Sequence, residues 1–290
     1  MESDSNRTQI LFERLRRISR LSSRAKPDAV HQLRTTIRRV ETLLATTSTT
    51  PQRKERKFLK QLKRLRRRAG KVRDLDVQIE ALSGLRLESS ARDRGCVLAF
   101  LEQARGRREK KLLRLIESEV DDGLHDRMKF IAARLQRESS KAAYPDGERF
   151  LRAALDKFAA AVKQRATLSE NNLHDFRMDC KRVRYLAEMA GEAAHAAPVM
   201  EQLKRIQNAI GNWHDWLTLT ATAENVLARG EQVPLLSALR ANTRSKYLEA
   251  LRITSDARRV LLEMHATERT ARRPAIPAQA EPAAVRAASA

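Results

Sequence analysis

The sequence is poor in several residues on which common classes of protein depend. Only 4% of its 290 residues are aromatic, and it contains 9 glycines, 8 prolines and 2 cysteines. Two cysteines cannot form the disulfide framework of a small secreted domain. There is no apolar run of about 18 residues, so the sequence predicts no transmembrane helix. Residues 1–4 lack the basic start and apolar core of a signal peptide, and we therefore expect a cytoplasmic protein.

Acidic residues are heavily outnumbered by basic ones. The chain has 58 lysines and arginines against 36 aspartates and glutamates, which gives a formal net charge of +22 and a pI near 10.9. Like charges at this excess repel one another in a folded chain, and a polyanionic partner would relieve the repulsion. Nucleic acid, an anionic membrane surface and polyphosphate are the partners that fit this charge.

Apolar residues recur at steps of three and four along most of the chain, which is the period of amphipathic helices. With few helix-breaking residues, this pattern predicts an all-α protein. The expected helices lie near residues 10–21, 27–46, 52–82, 91–118, 121–138, 148–166, 170–190, 198–228 and 233–265. The polar segment 139–147, which contains Pro and Gly, is the expected linker between two halves, residues 8–138 and 148–265. Residues 266–290, rich in Ala, Pro and Arg, are expected to form a disordered tail.

Two rows of side chains run side by side along the helix expected near residues 170–190. One row is apolar and should face the core: Leu173, Phe176, Cys180, Val183 and Ala187. The other row is cationic and follows one residue later: His174, Arg177, Lys181 and Arg184. Since one residue turns a helix by about 100°, the cationic row borders the buried one, where long side chains are partly enclosed.

The same arrangement occurs near the N-terminus. There the spacing of His174, Arg177, Lys181 and Arg182 is repeated 143 residues earlier by His31, Arg34, Arg38 and Arg39. A second repeat has an offset of 141 residues and aligns Leu203, Lys204, Arg205, Gly211 and Asp215 with Leu62, Lys63, Arg64, Gly70 and Asp74. Two repeats in the same order indicate an internal duplication. The aligned glycines predict close approaches between helices.

The motif His-x-x-Arg-x-x-x-(Arg/Lys)-Arg, present twice in a very basic helical chain, resembles that of the CHAD family (conserved histidine α-helical domain). The second copy and the Gly-x-x-x-Asp pattern of the second repeat carry the resemblance, which covers roughly residues 8–265. It implies a fold of two pseudo-symmetric antiparallel four-helix bundles with a basic groove or channel between them. It also implies inorganic polyphosphate as the ligand and recruitment to polyphosphate granules.

The expected polyphosphate-binding residues are basic side chains on four helix faces, two from each half. In the first half they are His31, Arg34, Arg38, Arg39, Lys60, Lys63, Arg64 and Arg67. In the second half they are His174, Arg177, Lys181, Arg182, Arg184, Lys204 and Arg205. Arginine forks bind phosphate oxygens at two points, while lysine supplies a mobile charge. For any one basic residue of the charge run 53–73, a solvated helix face is favoured over ligand contact. For the two histidines ligand contact is favoured, and a structural role is the alternative.

Asp74, Asp76 and Asp215 are expected to pair with nearby arginines rather than to bind metal or transfer protons. The sequence has no His-Glu-x-x-His helix, no cysteine pair at ligand spacing, no phosphate-binding glycine loop and no nucleophile elbow. We therefore expect a non-catalytic protein with no cofactor, no metal and no membrane partner. A sequence-nonspecific nucleic-acid-binding protein is one alternative, although the basic faces carry almost no aromatic residues for base stacking. An enzyme that acts on polyphosphate or nucleotides is the other.

Overall fold

The computed structural model describes residues 12–16, 25–47, 52–85, 90–121, 123–139, 147–191, 193, 195–227 and 233–270. Within these ranges the regular structure is helical and no strand occurs, which confirms the predicted all-α class. Residues 12–16 are helical, and the longer helices are α1 (Pro27–Thr47), α2 (Arg53–Ser83), α3 (Ala91–Asp121), α4 (Leu124–Ser139), α5 (Gly147–Gln164), α6 (Glu170–Met189), α7 (Ala196–Leu227) and α8 (Pro234–Thr270).

Helices α5 to α8 form an antiparallel bundle in which each helix packs on the next and α8 closes against α5. The apolar row of α6 is buried in this bundle: Leu173, Phe176, Cys180, Val183 and Ala187. Phe176 meets Phe158 of α5 edge to face, with ring centroids 6.1 Å apart. Trp213 of α7 packs on Tyr247 of α8, with centroids 5.6 Å apart. The cationic row of α6 therefore runs along the border of a well-packed core.

In the first half, α2 packs against α1, α3 and α4. The apolar row of α1 is buried here: Val30, Leu33, Ile37, Val40 and Leu44. Residues 12–16 contribute Phe12, whose ring stacks on Phe58 of α2 with centroids 6.1 Å apart. The buried carboxylate of Glu55 on α2 pairs with Arg134 of α4 at 2.9 Å. Each half thus places a motif helix beside its own core, while the origin of the halves by duplication stays a prediction.

An apolar joint connects the two halves. It lies where α2 and α7 meet the beginnings of α3 and α8, and its buried members are Leu82, Val97, Leu101, Leu219, Ala223, Leu235, Leu236 and Leu239. Helix α7 also packs directly on α2 and α3. Trp216 borders this joint and Trp213 lies in the core of the second half. The joint fixes the position of one half relative to the other.

The predicted boundaries fall partly outside the described residues. Helix α4 ends at Ser139 and α5 begins at Gly147, and residues 140–146 of the predicted linker are not among those described. Helix α8 continues to Thr270, beyond the expected end at residue 265, and residues 271–290 of the predicted tail also lie outside the described part. None of the described helices combines the length and the apolar character that crossing a membrane requires.

Candidate polyanion-binding site

The cationic rows of α1 and α6 meet between the two halves. Lys181 of α6 lies within electrostatic reach of Arg34 and Arg38 of α1. Arg34 is also close enough to Arg177 of α6 for the two charges to act on each other. We call Arg34, Arg38, Arg177 and Lys181 the junction cluster. Residues from distant parts of the sequence thus share one positively charged surface, as the predicted groove requires.

Partial burial distinguishes the junction cluster from most of the other basic residues. The Arg34 side chain is only 20% exposed, and Arg38, Arg177 and Lys181 are also half-buried. Burial lowers the pKa of both Arg34 and Arg177. Burial and the charges of nearby arginines lower the pKa of Lys181 to about 7. Because a partly desolvated cation among like charges is unfavourable, the junction cluster is suited to receive an anion.

Two aspartates lie among these cations. Arg34 donates from Nη1 to Oδ1 of Asp74 at 3.3 Å. Burial raises the pKa of Asp215, and the nearby charge of Arg177 opposes this rise. Asp76 lies elsewhere and pairs with an arginine of α3 at 2.6 Å. The predicted pairing of aspartates with arginines is therefore confirmed for Asp74 and Asp76.

The guanidinium of Arg177 lies against helix α7. Its Nε donates to the backbone carbonyl of Gln207 at 3.2 Å. A Cβ added at Gly211, one turn further along, would lie 2.7 Å from Nη2 of Arg177. The prediction of a close helix–helix approach at both glycines was wrong. An arginine side chain uses the space at Gly211, and a Cβ added at Gly70 meets no other element among the described residues within 4 Å.

Two residues near the junction cluster, Arg73 and His214, were missed from the sequence. The charge of Arg73 on α2 acts on Arg34, and that of Arg177 acts on His214 of α7. Each of the missed residues directly precedes the aspartate that is aligned between the two halves. Extending the alignment of the second repeat by this one position would have placed both residues at the site.

The histidines that begin the two cationic rows are both exposed. Partial burial, followed by the charges of Arg73 and Arg34, lowers the pKa of His31. The ring centroid of His174 lies 4.8 Å from that of His214. Burial and the neighbouring His174 lower the pKa of His214. Exposure leaves His31 and His174 able to donate to an anion, and their binding role stays a prediction.

The remaining predicted binding residues differ in their surroundings. Those exposed to solvent are Arg39, Lys60, Lys63, Arg64, Arg67, Arg182, Lys204 and Arg205. Arg64 pairs with the buried carboxylate of Glu119 on α3, so it also has a structural partner. Arg182 and the half-buried Arg184 pair with carboxylates of their own helix at 3.1 and 3.2 Å. The exposed members of this set can attract an anion at longer range.

Comparisons with known proteins agree with this fold. PptA from Streptomyces chartreusis has a similar structure, with a TM-score of 0.62 and 19% identity over 87% of this chain and 96% of that one. The crystal structure of the CHAD domain from the plant Ricinus communis matches with a TM-score of 0.60 and 15% identity, over 89% of this chain and 90% of that one. No curated protein sequence matches significantly. The family model for the CHAD domain matches residues 9–224, and the chain therefore belongs to the CHAD domain family.

Proposed function

We propose that this protein binds inorganic polyphosphate without turning it over, and that this binding recruits it to polyphosphate granules in the cytoplasm. The observation that carries the proposal is the convergence of half-buried cations from both halves in the junction cluster. The resemblance of the motifs to the CHAD family implies the same ligand. A flexible chain with a negative charge on every phosphate can contact the cations of α1 and α6 at the same time.

The donors of the junction cluster suit phosphate oxygens. The forks of Arg34, Arg38 and Arg177 can each offer two N–H groups to one phosphate, and Lys181 adds a mobile ammonium. The exposed basic residues of α2 and α7 can attract the same chain over a longer distance. Because binding neutralises many phosphates and releases their counterions, the affinity should fall steeply as salt is added.

Nucleic acid is the alternative ligand, because a strong positive charge alone permits it. Proteins that bind single strands without sequence preference usually stack bases on aromatic side chains. Such side chains make up only 4% of this chain, and the rings of Trp213, Phe158 and Phe176 are buried in the core. Beside the site, Tyr185 is half-buried, and its ring centroid lies 5.6 Å from Cζ of Arg184. The site therefore offers charge and hydrogen-bond donors, which favours a polyanion without bases.

Titration with labelled long-chain polyphosphate and with duplex DNA tests the proposed ligand. At equal salt and equal concentration of phosphate groups, we expect polyphosphate to bind at least about tenfold more tightly, a difference of about 1.4 kcal/mol in binding free energy. Equal affinities would contradict the proposal and favour the nucleic-acid alternative. Phosphate release during incubation with magnesium would contradict binding without turnover and favour an enzyme.

Polyphosphate should also raise the melting temperature of the protein. A ligand that binds only the folded state stabilises it by about 2.7 kcal/mol at a hundredfold excess over Kd, and it removes repulsion within the junction cluster. For a chain of this size we expect a rise of several degrees at low salt, of about 2–4 °C per kcal/mol. Differential scanning fluorimetry measures the shift. An unchanged melting temperature at low salt would contradict a specific site.

A further inference from the structure

We infer that Gly211 and the backbone carbonyl of Gln207 form a shelf on α7 that positions Arg177, so that its terminal nitrogens are held ready for two-point contact with an anion. This inference rests on the proposed function, since the anion is taken to be polyphosphate. It assigns a role to two residues that carry no charge themselves. They act through Arg177, and they are positioning residues.

The contacts of Arg177 define the shelf. Its Nε donates to the Gln207 carbonyl at 3.2 Å. An added Cβ at Gly211 would lie 2.7 Å from Nη2, 3.3 Å from Cζ and 3.4 Å from Nε of Arg177. Gln207 and Gly211 are four residues apart, so they lie on the same face of α7. The guanidinium therefore fills the space that a side chain at position 211 would need.

A second hydrogen bond holds the shelf in register with α6. The buried side chain of Gln207 donates from Nε2 to the backbone carbonyl of Cys180 at 3.1 Å. Cys180 belongs to the apolar row of α6, the helix that carries Arg177, and it is fully buried. Each helix thus donates one hydrogen bond to a carbonyl of the other. This exchange fixes how far Arg177 reaches along α7.

The shelf leaves the charge of Arg177 available. The Gln207 carbonyl is a neutral acceptor, and it accepts a hydrogen bond from Nε alone. No carboxylate of the described residues lies within 4.0 Å of the Arg177 guanidinium. Its counterpart in the first half, Arg34, differs because its Nη1 is bound to Asp74 at 3.3 Å. Gly70, the counterpart of Gly211, makes no shelf, because a Cβ added there would meet no side chain of the described part of the chain within 4 Å. Asp215 is the carboxylate whose charge acts most strongly on Arg177. The Arg177 fork is therefore fixed at Nε, while its terminal nitrogens have no carboxylate in direct contact among the described residues.

Substituting the two aligned glycines gives a matched test of the shelf. Gly211→Ala should lower the affinity for polyphosphate by about tenfold, the contribution of one hydrogen bond to a charged group. Gly70→Ala should leave the affinity unchanged, because the added methyl meets no other helix within 4 Å in the part of the chain that the structure describes. Alanine is also the better helix former, so the melting temperature of Gly70→Ala should be equal to or above that of the wild type.

A double-mutant cycle shows whether Gly211 acts through Arg177. Arg177→Lys keeps the charge but removes the fork, and in that background Gly211→Ala should cause no further loss of affinity. A full additional loss in this background would overturn the inference, as would wild-type affinity in Gly211→Ala alone.

The Arg177 Nε–H resonance gives a readout that does not depend on the ligand. In NMR spectra it should be protected from solvent exchange in the wild type and in Gly70→Ala, and it should lose protection in Gly211→Ala. Equal protection in all three proteins would overturn the shelf. If the wild type fails to bind polyphosphate, the proposed function fails, while this resonance still decides whether the shelf exists.

Discussion

Reversing the charges of Arg177 and Lys181 together should lower the affinity for polyphosphate by at least about a hundredfold, because two charge-assisted contacts of about 1.5–3 kcal/mol each are lost. Both side chains are half-buried next to Arg34 and Arg38 of the other half. Glutamates in these places would pair with the opposing arginines and repel the phosphate chain. The dissociation constants of Arg177→Glu/Lys181→Glu and of the wild type, measured at one moderate salt concentration, give the effect.

The control for this experiment changes the net charge by the same amount elsewhere. Arg252 and Arg259 lie on α8, where their side chains are 71% and 68% exposed. Arg252→Glu/Arg259→Glu should weaken binding only a few-fold, because exposed charges act at a distance that salt screens. If both double variants lose affinity equally, binding depends on diffuse charge and the junction cluster is not its centre.

The affinity for polyphosphate should fall by about tenfold or more as the pH rises from about 7 to about 9. Burial and the charges of Arg177, Arg38, Arg34 and Arg184 lower the pKa of Lys181 from 10.5 to about 7. Below that pKa the amine is already charged in the free protein. Above it the amine is neutral, and binding must take up a proton that the polyanion stabilises. The inner phosphates of a long chain stay ionised throughout this range, so the ligand does not cause the change.

The stability of the ligand-free protein should change in the opposite direction. The folded-state pKa of Lys181 lies below the 10.5 of an unperturbed lysine. Between these two values the unfolded chain binds more protons than the folded one, so the free energy of unfolding rises with pH. Burial also lowers the pKa of His214 and His31. For these two histidines, unfolding takes up protons only on the acidic side of neutrality.

Lys181→Arg separates the titration from the charge. Arginine keeps its proton throughout this range, so the variant should bind polyphosphate with little dependence on pH between about 7 and about 9. Lys204→Arg makes the same change at an exposed lysine of α7 and should keep the wild-type dependence. Calorimetry in two buffers with different ionisation enthalpies counts the protons taken up. A wild-type slope in Lys181→Arg would contradict the role of this amine.

The helices could be predicted closely from the sequence because their signals are local. The expected helix 52–82 is found as Arg53–Ser83, and the apolar rows of α1 and α6 are buried as expected. Burial of one row fixes the position of the next row by helix geometry alone. This is why Arg34, Arg38, Arg177 and Lys181 were among the fifteen predicted binding residues before any tertiary contact was known.

Contacts between helices could not be read from the same pattern. Helix α2 packs against several helices, and periodicity does not show that Arg64 pairs with Glu119 of α3. A glycine in a helix indicates a gap without showing what fills it, and at Gly211 the gap holds Arg177. His214 was overlooked because the repeat alignment was not extended to the position before Asp215.

The apolar joint between the halves has a consequence for attempts to produce either half alone. A polypeptide ending after α4 would leave Leu82, Val97 and Leu101 without the leucines of α7 and α8 that cover them, and the complementary polypeptide would uncover Leu219, Leu235, Leu236 and Leu239. Contiguous bare aliphatic surface of this kind promotes aggregation. The two fragments are therefore expected to be soluble together, as a reconstituted pair, rather than apart.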